Sequence, residues 1–250
     1  MTKSLNGLRI LNTRPREQAQ VLNKKIIESG GIPIDCPTME IMASENNWIN
    51  NLPDLTSVNQ AIFVSANAVR YFMMELASKN INWLNSIRVA AIGKGTSRVL
   101  NEFNIQVSDV PELPDSEHLL TLNSLQQIRN QTILLVKGEG GRQLIEEYLM
   151  LKGAKLCLLS VYKRVMPTID QEFLNSLWRD DLADIILLTS EQSIHNLFKM
   201  FSIEGQMWLQ NKPCLVISDR LAKVASLFGI KKILISHPER MIGTLFDYKD

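Results

Sequence analysis

The residue best suited to moving a proton is Tyr162, in the segment Ser160-Val161-Tyr162-Lys163-Arg164. A phenol is a weak acid with a pKa of about 10, so near neutral pH it holds a proton that it can give to a departing oxygen. An aromatic half-buried in a strand with its hydroxyl in water accounts for the same residue. The other groups capable of chemistry stand at the ends of short apolar runs: Thr13-Arg14, Ser65-Ala66-Asn67, Gly93-Lys94-Gly95-Thr96, Lys137-Gly138-Glu139-Gly140-Gly141-Arg142, Thr189-Ser190 and Ser218-Asp219-Arg220. Nearly every end offers a hydroxyl, a glycine or a cation. Each hydroxyl taken singly is also an ordinary helix N-cap. Taken together the ends describe an anion-binding rim, because helix N-termini beyond the carboxyl ends of parallel strands present free N–H groups to a ligand.

Other chemistries find no support. Gly138-Glu139-Gly140-Gly141 lacks both the Gly-Lys-Ser/Thr ending of a phosphate loop and dinucleotide spacing. His118, His195 and His237 lie far apart, none at ligand spacing from a cysteine or carboxylate, so no metal site is expected. No nucleophile elbow or Ser-His-Asp arrangement is legible. The three cysteines, Cys36, Cys157 and Cys214, are odd in number and read as small buried hydrophobes in a reducing compartment.

The elements that must position these groups follow from apolar patterning. Ala61-Ile62-Phe63-Val64, Val89-Ala90-Ala91-Ile92, Ile133-Leu134-Leu135-Val136, Ile185-Ile186-Leu187-Leu188 and Cys214-Leu215-Val216-Ile217 are continuous apolar runs, as parallel strands buried on both faces require. Between them the period is helical: Leu22, Ile26 and Ile27 mark one helix face, and Leu144, Ile145, Tyr148 and Leu149 another. Gly30-Gly31 and Gly153 supply helix stops. Ser116 is read as the cap of a further helix, and Pro238 sits at a first turn. The fold class is α/β.

The layout occurs twice. Residues 61–105 overlay residues 186–230 without a gap, with Ser65 on Ser190, Trp83-Leu84 on Trp208-Leu209, Ile92 on Ile217, Val99 on Val224, Phe103 on Phe228 and Ile105 on Ile230. Residues 9–31 likewise repeat in 132–154. Two copies of one supersecondary unit imply two similar domains. A cut near residue 125 would close each copy on itself; cuts at Asp35 to Ile41 and Leu158 to Val165 would exchange segments. Both remain open on these grounds.

The 250 residues carry a net charge of +1, so no global field of the kind nucleic-acid proteins use is present, and no nucleic-acid partner is expected. The opening Met1-Thr2-Lys3-Ser4-Leu5-Asn6-Gly7 lacks the apolar stretch of a signal peptide, and no run approaches a membrane span. The expectation is a soluble cytoplasmic protein without a membrane partner.

The order of Thr13-Arg14-Pro15, Phe63-Val64-Ser65-Ala66-Asn67-Ala68-Val69, Ala91-Ile92-Gly93-Lys94-Gly95-Thr96, Lys137-Gly138-Glu139-Gly140-Gly141-Arg142, Val161-Tyr162-Lys163-Arg164-Val165 and Leu188-Thr189-Ser190 resembles the uroporphyrinogen-III synthase family across nearly the whole chain. The resemblance implies two α/β domains, each a parallel sheet flanked by helices. Residues 1–37 plus 164–250 form one and residues 38–163 the other, joined by two extended connectors with the active-site cleft between them. It selects the exchanged-segment cuts. It implies a lyase that cyclises hydroxymethylbilane, a linear tetrapyrrole with eight carboxylates, while inverting its last ring. Loss of a hydroxyl gives an azafulvene, and closure passes through a spiro intermediate. No cofactor is required.

By the same resemblance Tyr162 is the proton donor to the leaving hydroxyl. Thr13, Arg14, Ser65, Lys94, Thr96, Lys137, Gly138, Ser190 and Ser218 are substrate-binding positions. The partner is the bilane itself, received by transient hand-over from hydroxymethylbilane synthase, and the protein is a monomer. Ser190-Glu191-Gln192 and Ser218-Asp219-Arg220-Leu221 depart from the family pattern. They put Glu191 and Asp219 near a polyanion, an unfavourable placement unless Arg220 pairs with Asp219 or the side chains point away. A non-catalytic relative binding a tetrapyrrole or other small anion is the alternative these changes keep open, with a two-lobed small-molecule sensor as a further one.

Overall fold

The computed structural model describes residues 4–249. In chain order the elements begin with β1 (Arg9–Asn12), α1 (Arg16–Glu28), β2 (Ile32–Asp35), β3 (Glu40–Ala43), β4 (Gln60–Phe63), α2 (Ala66–Ser78), β5 (Arg88–Ala91) and α3 (Lys94–Glu102). Next come α4 (Ser116–Leu119), β6 (Thr132–Gly138), α5 (Leu144–Leu151), β7 (Lys155–Val165) and α6 (Gln171–Arg179). The last are β8 (Ile185–Leu188), α7 (Glu191–Met200), α8 (Ile203–Asn211), β9 (Cys214–Val216), α9 (Asp219–Leu227), β10 (Ile233–Ile235) and α10 (Met241–Lys249). The chain divides into two compact units, Met1–Glu40 with Val165–Asp250, and Ile41–Arg164.

The first unit holds a sheet of order β10-β9-β8-β1-β2, with parallel pairing throughout. Its central strands β1, β8 and β9 are buried on both faces because both are covered. Ile186 and Leu188 pack with Leu174, Ile194 and Leu221 on one side, while Ile185 and Leu187 pack with Leu22, Ile26 and Leu245 on the other. Ile27, expected on the buried face of α1, is instead 61 % exposed. A helical face wide enough for Ala19, Leu22 and Ile26 turns position 27 outward.

The second unit holds a sheet of order β3-β7-β6-β4-β5, in which β4 pairs parallel with β5 and β6, and β6 with β7. Phe63, Ala91, Leu134 and Val136 face a cluster with Phe72, Leu76 and Val99, and Ile62, Ala90, Ile133 and Leu135 face one with Ile145 and Leu149. The order β7-β6-β4-β5 reproduces β2-β1-β8-β9, so the repeated segments occupy equivalent strands of their respective sheets. The equivalence fails at the Trp-Leu pair. Trp208 and Leu209 lie on α8, whereas Trp83 lies in the non-helical connector between α2 and β5, edge-on to Phe63 and Phe72.

Ser116 is the first residue of α4 rather than its cap; Asp115 caps it, accepting the His118 N–H at 2.7 Å. Both glycine stops at 30 and 153 adopt positive φ, as expected of helix C-termini.

Candidate functional site

Doubly wound sheets bind ligands beyond the carboxyl ends of their strands, where the chain order reverses. In the second unit that point lies between β6 and β4, and a cavity of about 350 Å³ opens there. Val64, Ser116, Lys137, Gly138, Arg142, Glu146, Tyr162 and Arg164 are among the residues lining it.

Tyr162 reaches this position through a break in strand register. Lys137 pairs with Ser160, but Gly138 pairs with Tyr162, so one residue of β7 is extra. Such a bulge re-aims the side chains beyond it. Val161 and Tyr162, neighbours in sequence, are consequently both buried in the same cluster. The phenol ring covers Gly138 so closely that a Cβ there would stand 2.5 Å from Tyr162 Cζ. Tyr71 of α2 stacks near it, with ring centroids 6.0 Å apart and an interplanar angle of 24°.

Two donors address the phenol oxygen. Ser65 Oγ donates to it at 3.2 Å and Arg164 Nη2 at 3.0 Å. Ser65 is simultaneously the N-cap of α2, its oxygen accepting the Ala68 N–H, so its proton is left to point at Tyr162. Ordinary capping and a site role coincide in one hydroxyl. Arg164 was not singled out by sequence. The available signal was its spacing, since residues two apart on a strand share a face.

Lys137 differs from a free cation. Its ammonium is 2.5 Å from Glu146 Oε1, and both side chains are largely buried. The glycines that follow, Gly140 and Gly141, both have positive φ, which turns the loop so that Arg142 lines the cavity, where it pairs with Glu117. Asp115 accepts the His118 backbone N–H, and that bond holds its carboxyl below the usual range. Lys94 and Thr96, at the start of α3, line a neighbouring hollow with Gly93, Pro111 and Pro114. Lys94 is exposed and Thr96 buried.

In the first unit Thr13 and Arg14 follow β1, Ser190 follows β8 and Ser218 follows β9. The Thr13 hydroxyl is fully buried and donates to Leu187 O at 2.7 Å, so it ties two strands together and presents nothing to a ligand. Arg14 is half-buried, and desolvation pulls its pKa down. Ser190 and Ser218 cap α7 and α9. Arg220 pairs with Glu191 at 2.6 Å rather than with Asp219. Arg220 is the second residue of α9, and adjacent helical positions do not face each other, so it reaches Glu191 at the start of α7 rather than its own predecessor.

No group of three or more metal-ligating side chains occurs among the described residues, and no described helix is long and apolar enough to cross a membrane.

A family model described as uroporphyrinogen-III synthase HemD matches residues 20–245. The chain is 32% identical over 168 residues to the uroporphyrinogen-III synthase of Proteus mirabilis, covering 66% of this chain and 84% of that protein. To the uroporphyrinogen-III synthase of Salmonella typhimurium it is 28% identical over 233 residues, covering 91% and 94%. Among solved structures, a mutant uroporphyrinogen III synthase of Thermus thermophilus shares the fold with a TM-score of 0.63 at 17% identity, over 97% of this chain and 98% of that one. The enzyme of Helicobacter pylori does so with a TM-score of 0.61 at 15% identity, over 96% and 97%.

Proposed function

The chain belongs to the uroporphyrinogen-III synthase family, and from that premise we propose that it cyclises hydroxymethylbilane to uroporphyrinogen III, with Tyr162 as proton donor. The observation that carries the assignment of Tyr162 is the pair of donors on its oxygen, Ser65 Oγ and Arg164 Nη2. When the terminal C–O bond of the bilane breaks, the phenol proton leaves with the hydroxyl as water and negative charge develops on the phenol oxygen. Donors already aimed at that atom stabilise the charge without reorganising, which is the general basis of preorganised catalysis. The net reaction loses one water only, so the proton that Tyr162 lends is restored when the closing ring sheds one.

The rest of the task is conformational. The uncatalysed closure gives the symmetrical isomer, so the protein must hold the last ring for attack through its substituted carbon. Arg14, Lys94, Ser190, Ser218 and the backbone at Gly138 are the groups proposed to receive the substrate carboxylates, whereas Lys137 is already held by Glu146. Cations and helix N-termini serve a polyanion even in a chain of net charge +1. The protein works as a cytoplasmic monomer, receives the bilane by transient hand-over from its synthase, and uses no cofactor.

The test is to supply hydroxymethylbilane, made in situ by its synthase, and to separate the oxidised porphyrin products by isomer. Type III product is expected. Type I alone rules out the synthase reading, and bilane binding without turnover favours the non-catalytic alternative.

A further inference from the structure

Glu146 stands apart from the other acids of the cavity. Its side chain is 9% exposed, on the first turn of α5, and Oε1 is held by Lys137 at 2.5 Å. Its second oxygen, Oε2, is buried and takes no hydrogen bond from the protein. Asp115 by contrast is engaged by the His118 N–H and imidazole, and Glu117 by Arg142. A buried carboxylate oxygen left without a donor costs free energy that a ligand donor would recover. Glu146 is one of the residues lining the cavity, so this unpartnered oxygen belongs to the cavity wall.

The proposed substrate carries donors of one kind besides its hydroxyl. A pyrrole N–H is, like the indole N–H, a donor without acceptor capacity. We propose, resting on the synthase reading above, that Glu146 Oε2 accepts the N–H of one pyrrole ring of the bilane and so fixes the plane of that ring beside Tyr162. Carboxylate arms turn freely about their single bonds, so salt links to them anchor a ring without orienting it. The N–H lies in the ring plane, and an acceptor placed on it sets which ring edge faces the reacting centre. Lys137 makes this compatible with a polyanionic ligand, because its charge cancels that of Glu146 and leaves the free oxygen as a local acceptor. A cavity of about 350 Å³ lies at the lower end of the roughly 300–1,000 Å³ found for small-ligand sites, which suits one ring and its arms rather than a whole tetrapyrrole.

Glu146→Gln keeps the shape and can still accept from Lys137, but places an N–H₂ donor where Oε2 stood. The expected result is a fall in kcat/KM of about tenfold or more, appearing mainly in KM, with a larger type I fraction in the product. A structural role alone would lower activity too, so the deciding measurement uses bilanes methylated on a single pyrrole nitrogen, the four taken one at a time. The wild-type protein should discriminate against one of them by about tenfold relative to hydroxymethylbilane, and Glu146→Gln should lose that discrimination. Equal discrimination by the two proteins against all four overturns the proposal, as does an unchanged kcat/KM and isomer ratio in Glu146→Gln. If Glu146→Gln does not fold, Glu146→Asp, which keeps the charge but withdraws the oxygen by one methylene, is read in the same way. Wild-type protein that yields only type I product would instead remove the synthase reading itself, so the two failures are told apart.

Discussion

The ring of Tyr162 lies over the backbone of Gly138 on the adjacent strand, where a Cβ would come within 2.5, 2.7 and 2.9 Å of three ring carbons. Tyr71 stacks beside it, with ring centroids 6.0 Å apart. The phenol is thus held by packing as well as by its two hydrogen bonds, and a change at position 138 acts on Tyr162 without touching it chemically.

Gly138→Ala should force the ring off this surface. The expected cost is about 1–3 kcal/mol of stability, as for other overpacked cores, together with a loss of type III product much larger than the loss of folded protein. Thermal unfolding measured beside isomer-resolved activity checks this. A variant with normal activity would mean that the ring can shift without consequence.

Tyr162→Phe keeps the ring and removes the proton. Type III formation should fall by about a hundred- to ten-thousand-fold, the usual range for a general acid. Stability should change by only about 0.5–1.5 kcal/mol, for the hydrogen bonds lost from Ser65 and Arg164. Full type III output from this variant would dismiss the proton-donor role.

Asp184 accepts hydrogen bonds from the Arg9 guanidinium and backbone N–H, and the Arg9 side chain is the main cause of its lowered pKa. A carboxyl whose folded pKa is depressed stabilises the protein above its unfolded value of about 3.9, and that contribution is lost as pH falls through the lower folded value. Wild type should therefore melt higher than Asp184→Asn at pH 7, with the gap closing toward pH 3. A gap that persists unchanged at pH 3 would contradict the assignment.

Burial pushes the thiols of Cys36 and Cys214 up to about 12, while Cys157 is only half-buried. Thiolate is the nucleophile, so neither buried cysteine should react in the folded state near neutral pH. Iodoacetamide treatment followed by mass spectrometry should find label at Cys157 first, and at Cys36 and Cys214 only after denaturation. Early labelling of Cys36 would show that the first unit opens locally.

The secondary structure was legible because burial on both faces demands continuous apolar strands, and Ile133 to Val136 or Ile185 to Leu188 satisfy that demand without reference to their neighbours. Capping was legible for the same local reason at Ser65, Ser190 and Ser218, whose N–H donors lie three residues away. The repeat was legible as a correspondence of strands, and the two sheet orders match it. At Ser116 the local pattern is off by one residue, because Asp115 takes the cap position and accepts the His118 N–H.

What only the tertiary structure decided is which polar groups meet. Ser65 and Tyr162 are 97 residues apart, and their contact depends on β4 and β7 flanking β6 and on one extra residue in β7. Neither strand order nor a bulge leaves a periodic trace in the chain. Lys137 with Glu146, and Arg220 with Glu191, join a strand end to a helix or one helix to another, so each partner is selected by where the elements land. Apolar burial is summed over many residues and survives as a pattern in sequence. A hydrogen bond or ion pair is a single directed contact between two atoms, and it exists only once the backbone has brought them together.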